Sequence, residues 1–260
     1  MIVLKSEAEI EVMRRANLIV ADVLAEVRRQ VRVGVTTAEL DRVAEERTRG
    51  LGAVPAFKGY EVAGRVFPRS ICISINDEVV HGIPSDGRRL QEGDIVGLDF
   101  GVNYRGYFGD SAITVPVGRV DTEAEQLMQV TEEALWAGID EARPGRRLGD
   151  LSAAIQERVE AAGFSVVRDF VGHGIGRRLH EEPQVPNFGQ RDRGIRLREG
   201  MVFAIEPMVN AGGPEVMIKQ DGWTAVTRDG RRSAHFEHSV AITEHGPYVL
   251  SRPDGARSEL

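Results

Sequence analysis

Five side chains carry the chemistry open to this sequence: Asp99, Asp110, His173, Glu206 and Glu237. Asp99 sits in DIVGLDFGV, an acid inside an apolar run that wants to be buried. A buried carboxylate is costly unless it is paired, protonated or bound to a metal. Asp110 follows behind a Tyr/Gly-rich turn and opens GDSAITV, and Glu237 opens EHSVAIT in the same way. Glu206 lies in EGMVFAIEPM, while His173 stands between glycines in VGHGIG, which leaves its imidazole open to a cavity. Carboxylates and an imidazole form a hard donor set that suits Mn²⁺, Fe²⁺, Co²⁺ or Zn²⁺ better than a thiolate site would. The acids' four negative charges balance two divalent cations, and a metal pair about 3.5–4 Å apart can activate a water and polarise a carbonyl.

Singly, each residue has a plainer reading. Asp110 could be a turn residue, Glu237 a solvated strand residue and His173 a satisfied loop histidine. GHGIG also hints at a phosphate loop, but such a fingerprint should lead straight into a helix, and Pro183 follows too soon for a long one. Together, on repeated strands, the five favour a metal site.

The repeat supplies the elements that position them. LQEGDIVGLDFGVN from Leu90 aligns without gaps on LREGMVFAIEPMVN from Leu197, which sets Asp99 opposite Glu206. Upstream, RVGVTTAELDRVAEERTRGLG from Arg32 aligns on RPGRRLGDLSAAIQERVEAAG from Arg143. Apolar spacing of three and four predicts helices over about Ser6–Val31 and Thr122–Ala142, each followed by a glycine turn at Gly34 or Gly145. A second helix starts near Thr37 or Leu148 and ends near Gly52 or Gly163, and β-branched strands follow. With no linker between the copies, 1–260 reads as a single catalytic domain of two pseudo-symmetric α/β halves, about 5–118 and 119–250.

Composition narrows the function. The chain has 260 residues, 28% charged and 42% apolar, with a net charge of −7, a globular balance that argues against a nucleic-acid surface. No apolar run approaches the roughly 20 residues of a membrane span, and MIVLKSEAEIEVMRR has no signal core. The lone Cys72 reads as a buried structural thiol and fits a reducing compartment, so a cytoplasmic location is expected.

The five residues and the motifs around them, CISINDEVVHGIP, GDIVGLDFGV, GHGIGRRLHEEPQVPN, EGMVFAIEPM and DGWTAVTRDGRRSAHFEHS, resemble those of the methionine aminopeptidases from about Lys5 to Leu250. The resemblance is to the short bacterial type I form. It implies the α+β, two-layer pita-bread fold shared with creatinase and the X-Pro peptidases: two pseudo-symmetric halves around a central antiparallel sheet. It implies two divalent metal ions (Co, Mn, Fe, Zn or Ni), with Asp110 and Glu237 bridging them, Asp99 on one, and His173 with Glu206 on the other. Glu206 would also handle the proton of the attacking water. His81 would lie near the scissile amide nitrogen, and His180 near the carbonyl oxygen. The substrates implied are the N-termini of nascent polypeptides, with small second residues preferred; ribosome proximity, a monomer and no specific nucleic acid go with them.

The first-residue pocket departs from the family's frequent pattern. Phe57 stands where a cysteine is expected, Tyr60 and Trp223 match, and Phe67 replaces a tyrosine after several extra residues. Leu179 takes the place of a phenylalanine and His235 that of a glutamine. Strand alternation places His235 on the same face as Glu237, with His238 facing away, so that His235 reads either as bordering the site and titrating near neutrality or as a rim histidine with no role. Two other readings stay open. One is an X-Pro peptidase, whose usual extra N-terminal domain 260 residues would not hold; the other is a non-catalytic protein- or RNA-binding relative.

Overall fold

The structure, a computed structural model, describes residues 2–252; Met1 and residues 253–260, the ends of the span read as one domain, lie outside the described residues. The first half runs α1 (Glu7–Gln30), α2 (Thr37–Gly50), β1 (Val54–Pro55), β2 (Glu61–Val62), β3 (Arg65–Val66), β4 (Cys72–Ile75), β5 (Glu78–Val80), β6 (Ile95–Tyr104) and β7 (Tyr107–Pro116). The second begins with α3 (Thr122–Glu141) and α4 (Leu148–Ala161). Its strands are β8 (Ser165–Val166), β9 (Gly172–Gly174), β10 (Glu181–Val185), β11 (Val202–Ile205), β12 (Met208–Asn210), β13 (Val216–Ile218), β14 (Ala225–Thr227), β15 (Ser233–His235), β16 (Glu237–Thr243) and β17 (Gly246–Val249).

Local chemistry sets the helix starts. Ser6 caps α1 and Thr36 caps α2, each returned by the glutamate three residues on, Glu9 and Glu39. Asp121 accepts from Ala124 N at the head of α3. At α4 the Asp150 carboxylate takes the Arg147 N–H at 2.8 Å.

The repeat is written in hydrogen bonds. Gly34 N donates to Leu90 O at 2.8 Å, as Gly145 N does to Leu197 O at 3.0 Å. Leu90 N donates to Val35 O and Leu197 N to Arg146 O, and the bridges Thr36–Arg89 and Arg147–Arg196 sit at equivalent places.

The two halves share one antiparallel sheet, in the order β1-β6-β7-β16-β11-β9-β10, with β4 added on β6 and β17 on β16. They join where β7 meets β16, with Glu237 opposite Ala112. Ser111 Oγ donates to Glu237 O at 2.6 Å and Ser239 Oγ to Asp110 O at 2.8 Å across that seam. Alternation along each strand then divides the sheet's faces. Leu98, Phe100 and Val102 of β6 pack with Val20, Leu24 and Leu40 of α1 and α2. Val240 and Ile242 of β16 pack with Leu127, Leu135 and Ile155 of α3 and α4. Asp99, Asp110 and Glu237 occupy the alternate positions, so the helices cover one face and the acids stand on the other.

The copies diverge at their acid-bearing strands. β6 passes unbroken through Asp99, but β11 ends at Ile205 and β12 starts at Met208 in a different sheet, beside β15 and β8. Pro207 supplies no N–H for a ladder there. A second correction concerns His235. It closes β15, which pairs with β12, whereas Glu237 opens β16, which pairs with β7 and β11. The chain changes sheet at Phe236, so same-strand alternation does not relate the two side chains.

Candidate metal centre and substrate cavity

Register brings the acids together. Gly101 of β6 lies opposite Asp110 of β7, and Asp99 lies opposite Ala112, which in turn faces Glu237 on β16. Gly101 is bare for a reason: a Cβ there would fall 3.1 Å from Asp110 Oδ1 and 2.9 Å from the Phe57 ring. From the other half, His173 on β9 pairs with Ala204 of β11, and Glu206 follows directly after β11. Asp110, His173 and Glu237 each offer a donor atom within 4.8 Å of the others. His173 Nε2 is 3.5 Å from Glu206 Oε1, and His235 Nε2 is 3.6 Å from Glu206 Oε2. His173 Nδ1 is 2.9 Å from Gly174 O, a contact that assigns the proton to Nδ1 and leaves the Nε2 lone pair facing the acids.

The electrostatics of this cluster favour bound positive charge, as protons or as a cation. Burial drives the Asp99 carboxyl up to about 7 and that of Glu206 to about 8, with the charge of Glu206 adding to the effect at Asp99. Burial, then repulsion from the neighbouring acids, raises Asp110 and Glu237 well above the ordinary range. Asp110 Oδ1 and Glu237 Oε1 are buried with no hydrogen-bond partner. Orphaned carboxylate oxygens beside an accessible imidazole nitrogen are a donor set that divalent metal ions fit. Burial, reinforced by His180, lowers His173 to about 3, so its imidazole is neutral and free to ligate. Burial also holds the His235 imidazole below its ordinary value.

Beside the acids opens a cavity of ≈ 230 Å³. Phe57, Tyr60, Phe67, Leu179 and Trp223 give it apolar walls, and His81 and His180 lie where the walls meet the acids. The Phe67 and Trp223 rings meet edge to face, 5.3 Å between centroids. The Tyr60 hydroxyl is 2.7 Å from His180 Nδ1, and the His180 ring sits 4.3 Å from that of His173. Burial holds His180 below its ordinary value, and burial together with His235 and His180 lowers His81 to about 4.

His81 is held at φ 61, a left-handed conformation that costs a non-glycine residue of order 1 kcal/mol or more. Gly82 next to it packs flush on β4: a Cβ there would come within 2.1 Å of Ile73 O, which also fixes the chain through Ile73 N to Gly82 O. Gly82→Ala should therefore lower stability by about 1–3 kcal/mol and displace His81. Urea unfolding checks this, and a midpoint equal to wild type would show that the close approach is not rigid.

Several contributors escaped the sequence reading. Cys72 pairs with Asp99 across β4 and β6 and lines the cavity, its thiol held neutral by burial and by the Asp99 charge. Val62 reaches the cavity from the extra segment before Phe67. Glu181, beside His180, accepts from Arg177 N at 2.8 Å and Arg178 N at 3.1 Å, and is itself held by the buried Lys5 ammonium at 2.6 Å. That ion pair ties the loop carrying Leu179 and His180 to the chain just ahead of α1. The HEEP motif marked Glu181, but nothing in the sequence pointed to a partner 176 positions away.

Residues 11–244 match the metallopeptidase family M24 model. The chain belongs to metallopeptidase family M24. Within M24, methionine aminopeptidase 1 of Bacillus subtilis is 50% identical over 252 residues, covering 97% of this chain and 100% of the relative. The crystal structure of a methionine aminopeptidase from Thermotoga maritima superposes with a TM-score of 0.94 at 48% identity, covering 97% of this chain and 100% of that one. The prolidase of Pyrococcus horikoshii shares the fold alone, with a TM-score of 0.77 at 24% identity and 63% of its length covered. This M24 chain thus has the pita-bread architecture, and its full-length likeness is to the family's methionine aminopeptidases.

Proposed function

We infer that this chain is a metal-dependent methionyl aminopeptidase that removes the first residue from polypeptides beginning with methionine. The observation that carries the reading is the pairing of a buried, under-neutralised carboxylate cluster with a cavity walled largely by apolar side chains. Asp99, Asp110, His173, Glu206 and Glu237 would hold two divalent ions, of which Co, Mn, Fe, Zn and Ni all suit the donors. When bound, such ions neutralise the acids, polarise the scissile carbonyl and favour deprotonation of the attacking water.

The chain's own residues do the rest. Phe57, Tyr60, Phe67, Leu179 and Trp223 enclose an unbranched thioether side chain and exclude water from it. The Glu206 carboxylate receives the proton lost by the attacking water. A Tyr60 hydroxyl that donates to His180 Nδ1 leaves the imidazole proton on Nε2. From there it can be donated to the carbonyl oxygen as negative charge grows. His81, neutral at working pH, borders the leaving amine. All these groups converge from both halves on one cavity, which supports the whole span 1–260, with halves of about 5–118 and 119–250, acting as a single catalytic domain.

The partners proposed are N-termini of nascent polypeptides, met near the ribosome by a cytoplasmic monomer. Among the described residues no helix is long and apolar enough to cross a membrane. The X-Pro reading is tested by comparing Met-Gly and X-Pro peptides of equal length. Met-Gly cleavage should exceed X-Pro cleavage by at least about tenfold, since each 1.4 kcal/mol of differential transition-state binding is a decade. A preference for X-Pro, or cleavage of neither, would overturn the assignment, and cleavage of neither would leave the protein- or RNA-binding reading.

A further inference from the structure

The extra residues between Tyr60 and Phe67 form a tight hairpin. β2 pairs with β3 in the register Glu61–Val66 and Val62–Arg65, and Ala63 and Gly64 turn the chain with φ 49 and 77, both positive as a two-residue hairpin turn requires. Below it, Phe67 N donates to Tyr60 O at 2.8 Å and Gly59 N to Phe67 O at 2.9 Å, so the ladder continues to the two wall residues. Side chains two apart, and those directly opposite, share a face. Tyr60, Val62, Arg65 and Phe67 therefore form one face, and Tyr60, Val62 and Phe67 all line the cavity. The hairpin adds an outer layer to the cavity wall: Val62, half-exposed at 49%, and the Arg65 cation.

Arg65 is pinned but not neutralised. Its Nη1 donates to Gly222 O at 3.3 Å, and its guanidinium lies so close over Gly222 that a Cβ there would be 2.5 Å away. Gly222 precedes the wall residue Trp223, so the cation links the hairpin to the turn that carries the opposite wall. No carboxylate lies within ion-pair distance of Arg65 among the described residues. Asp221, on the same turn, is engaged by Trp223 N, Thr224 N and Thr224 Oγ1. Glu61 lies on the hairpin's other face.

We propose that Val62 and Arg65 form an outer substrate subsite, in which Arg65 selects acidic residues beyond the first peptide bond of the polypeptide. The proposal rests on the aminopeptidase reading, because it takes the substrate to leave the cavity past this hairpin. On a chain of net charge −7, an unpaired cation at the mouth is the feature that would draw an acidic segment in.

The test measures kcat/KM for Met-Gly-Glu-Glu-Gly and Met-Gly-Lys-Lys-Gly with the metal-loaded enzyme. Wild type should favour the acidic peptide by about two- to fivefold at low salt, the range of a solvent-exposed ion pair, and the preference should fade in high salt. Arg65→Glu should reverse the ratio, and Arg65→Lys should keep it. Val62→Glu, which sets a carboxylate opposite Arg65 without removing it, should bring the ratio toward one. A wild-type ratio of one, or a ratio unmoved by Arg65→Glu, overturns the subsite while leaving the aminopeptidase reading standing. Failure to cleave either peptide defeats the aminopeptidase reading itself, and the subsite with it.

Discussion

Asp110→Asn should cut turnover of a Met-Gly peptide about a hundred- to a thousandfold, yet make the metal-free chain more stable than metal-free wild type. The first effect follows from removing a charged donor at the centre of the cluster, where metal-borne charge stabilisation amounts to several kcal/mol, each 1.36 kcal/mol being a decade in rate. The second follows from repulsion. Asp110 Oδ1 is buried without a partner, and neighbouring acids raise its proton affinity, so an isosteric neutral side chain relieves cost in the absence of cations. The pH dependence shares this origin. Asp99 at about 7 and Glu206 at about 8 lie above their unfolded values of about 4. Taken by themselves, these two acids bind more protons in the metal-free folded chain than in the unfolded one between about pH 4 and 8, so their contribution to stability falls as pH rises through that window. Thermal melts of both chains after chelation check the sign. A metal-free Asp110→Asn chain that melts below wild type would mean the cluster is not under repulsion.

His180→Ala should lower kcat by about ten- to a thousandfold with KM and metal content little changed, the range for losing one donor to a developing oxyanion. The imidazole lies against His173 and takes its orientation from Tyr60. Tyr60→Phe keeps the ring in the cavity wall and removes only the hydroxyl, so it should show a smaller fall, also in kcat. If His180→Ala instead loses metal in proportion to activity, His180 is a ligand and the division of labour between it and His173 is wrong.

Much of the architecture could be read before any coordinates because it rests on local chemistry. Apolar spacing of three and four marks the long helices, and the repeated Leu-x-Glu-Gly fixes equivalent turns. The buried acids announced themselves because Asp99 breaks an apolar run. What stayed hidden depends on pairing between distant strands. The place of Cys72 in the cavity follows from its register with Asp99, and that of Val62 from a hairpin whose turn sets which face it shares with Tyr60. Pro207 was visible in the sequence, but the ungapped alignment ran across it and concealed the break between β11 and β12. His235 shows the same failure in miniature. It does border Glu206, at 3.6 Å, but through a neighbouring sheet and not through the strand of Glu237.

The most direct test of the central claim is to follow metal content and Met-Gly-peptide turnover in one sample through chelation and metal return. Turnover should fall to background as the metal leaves and recover with Mn²⁺ or Co²⁺ as about two ions per chain are regained, because the acids of this site need cations to act together. Full turnover in a sample verified to hold no metal would contradict the account.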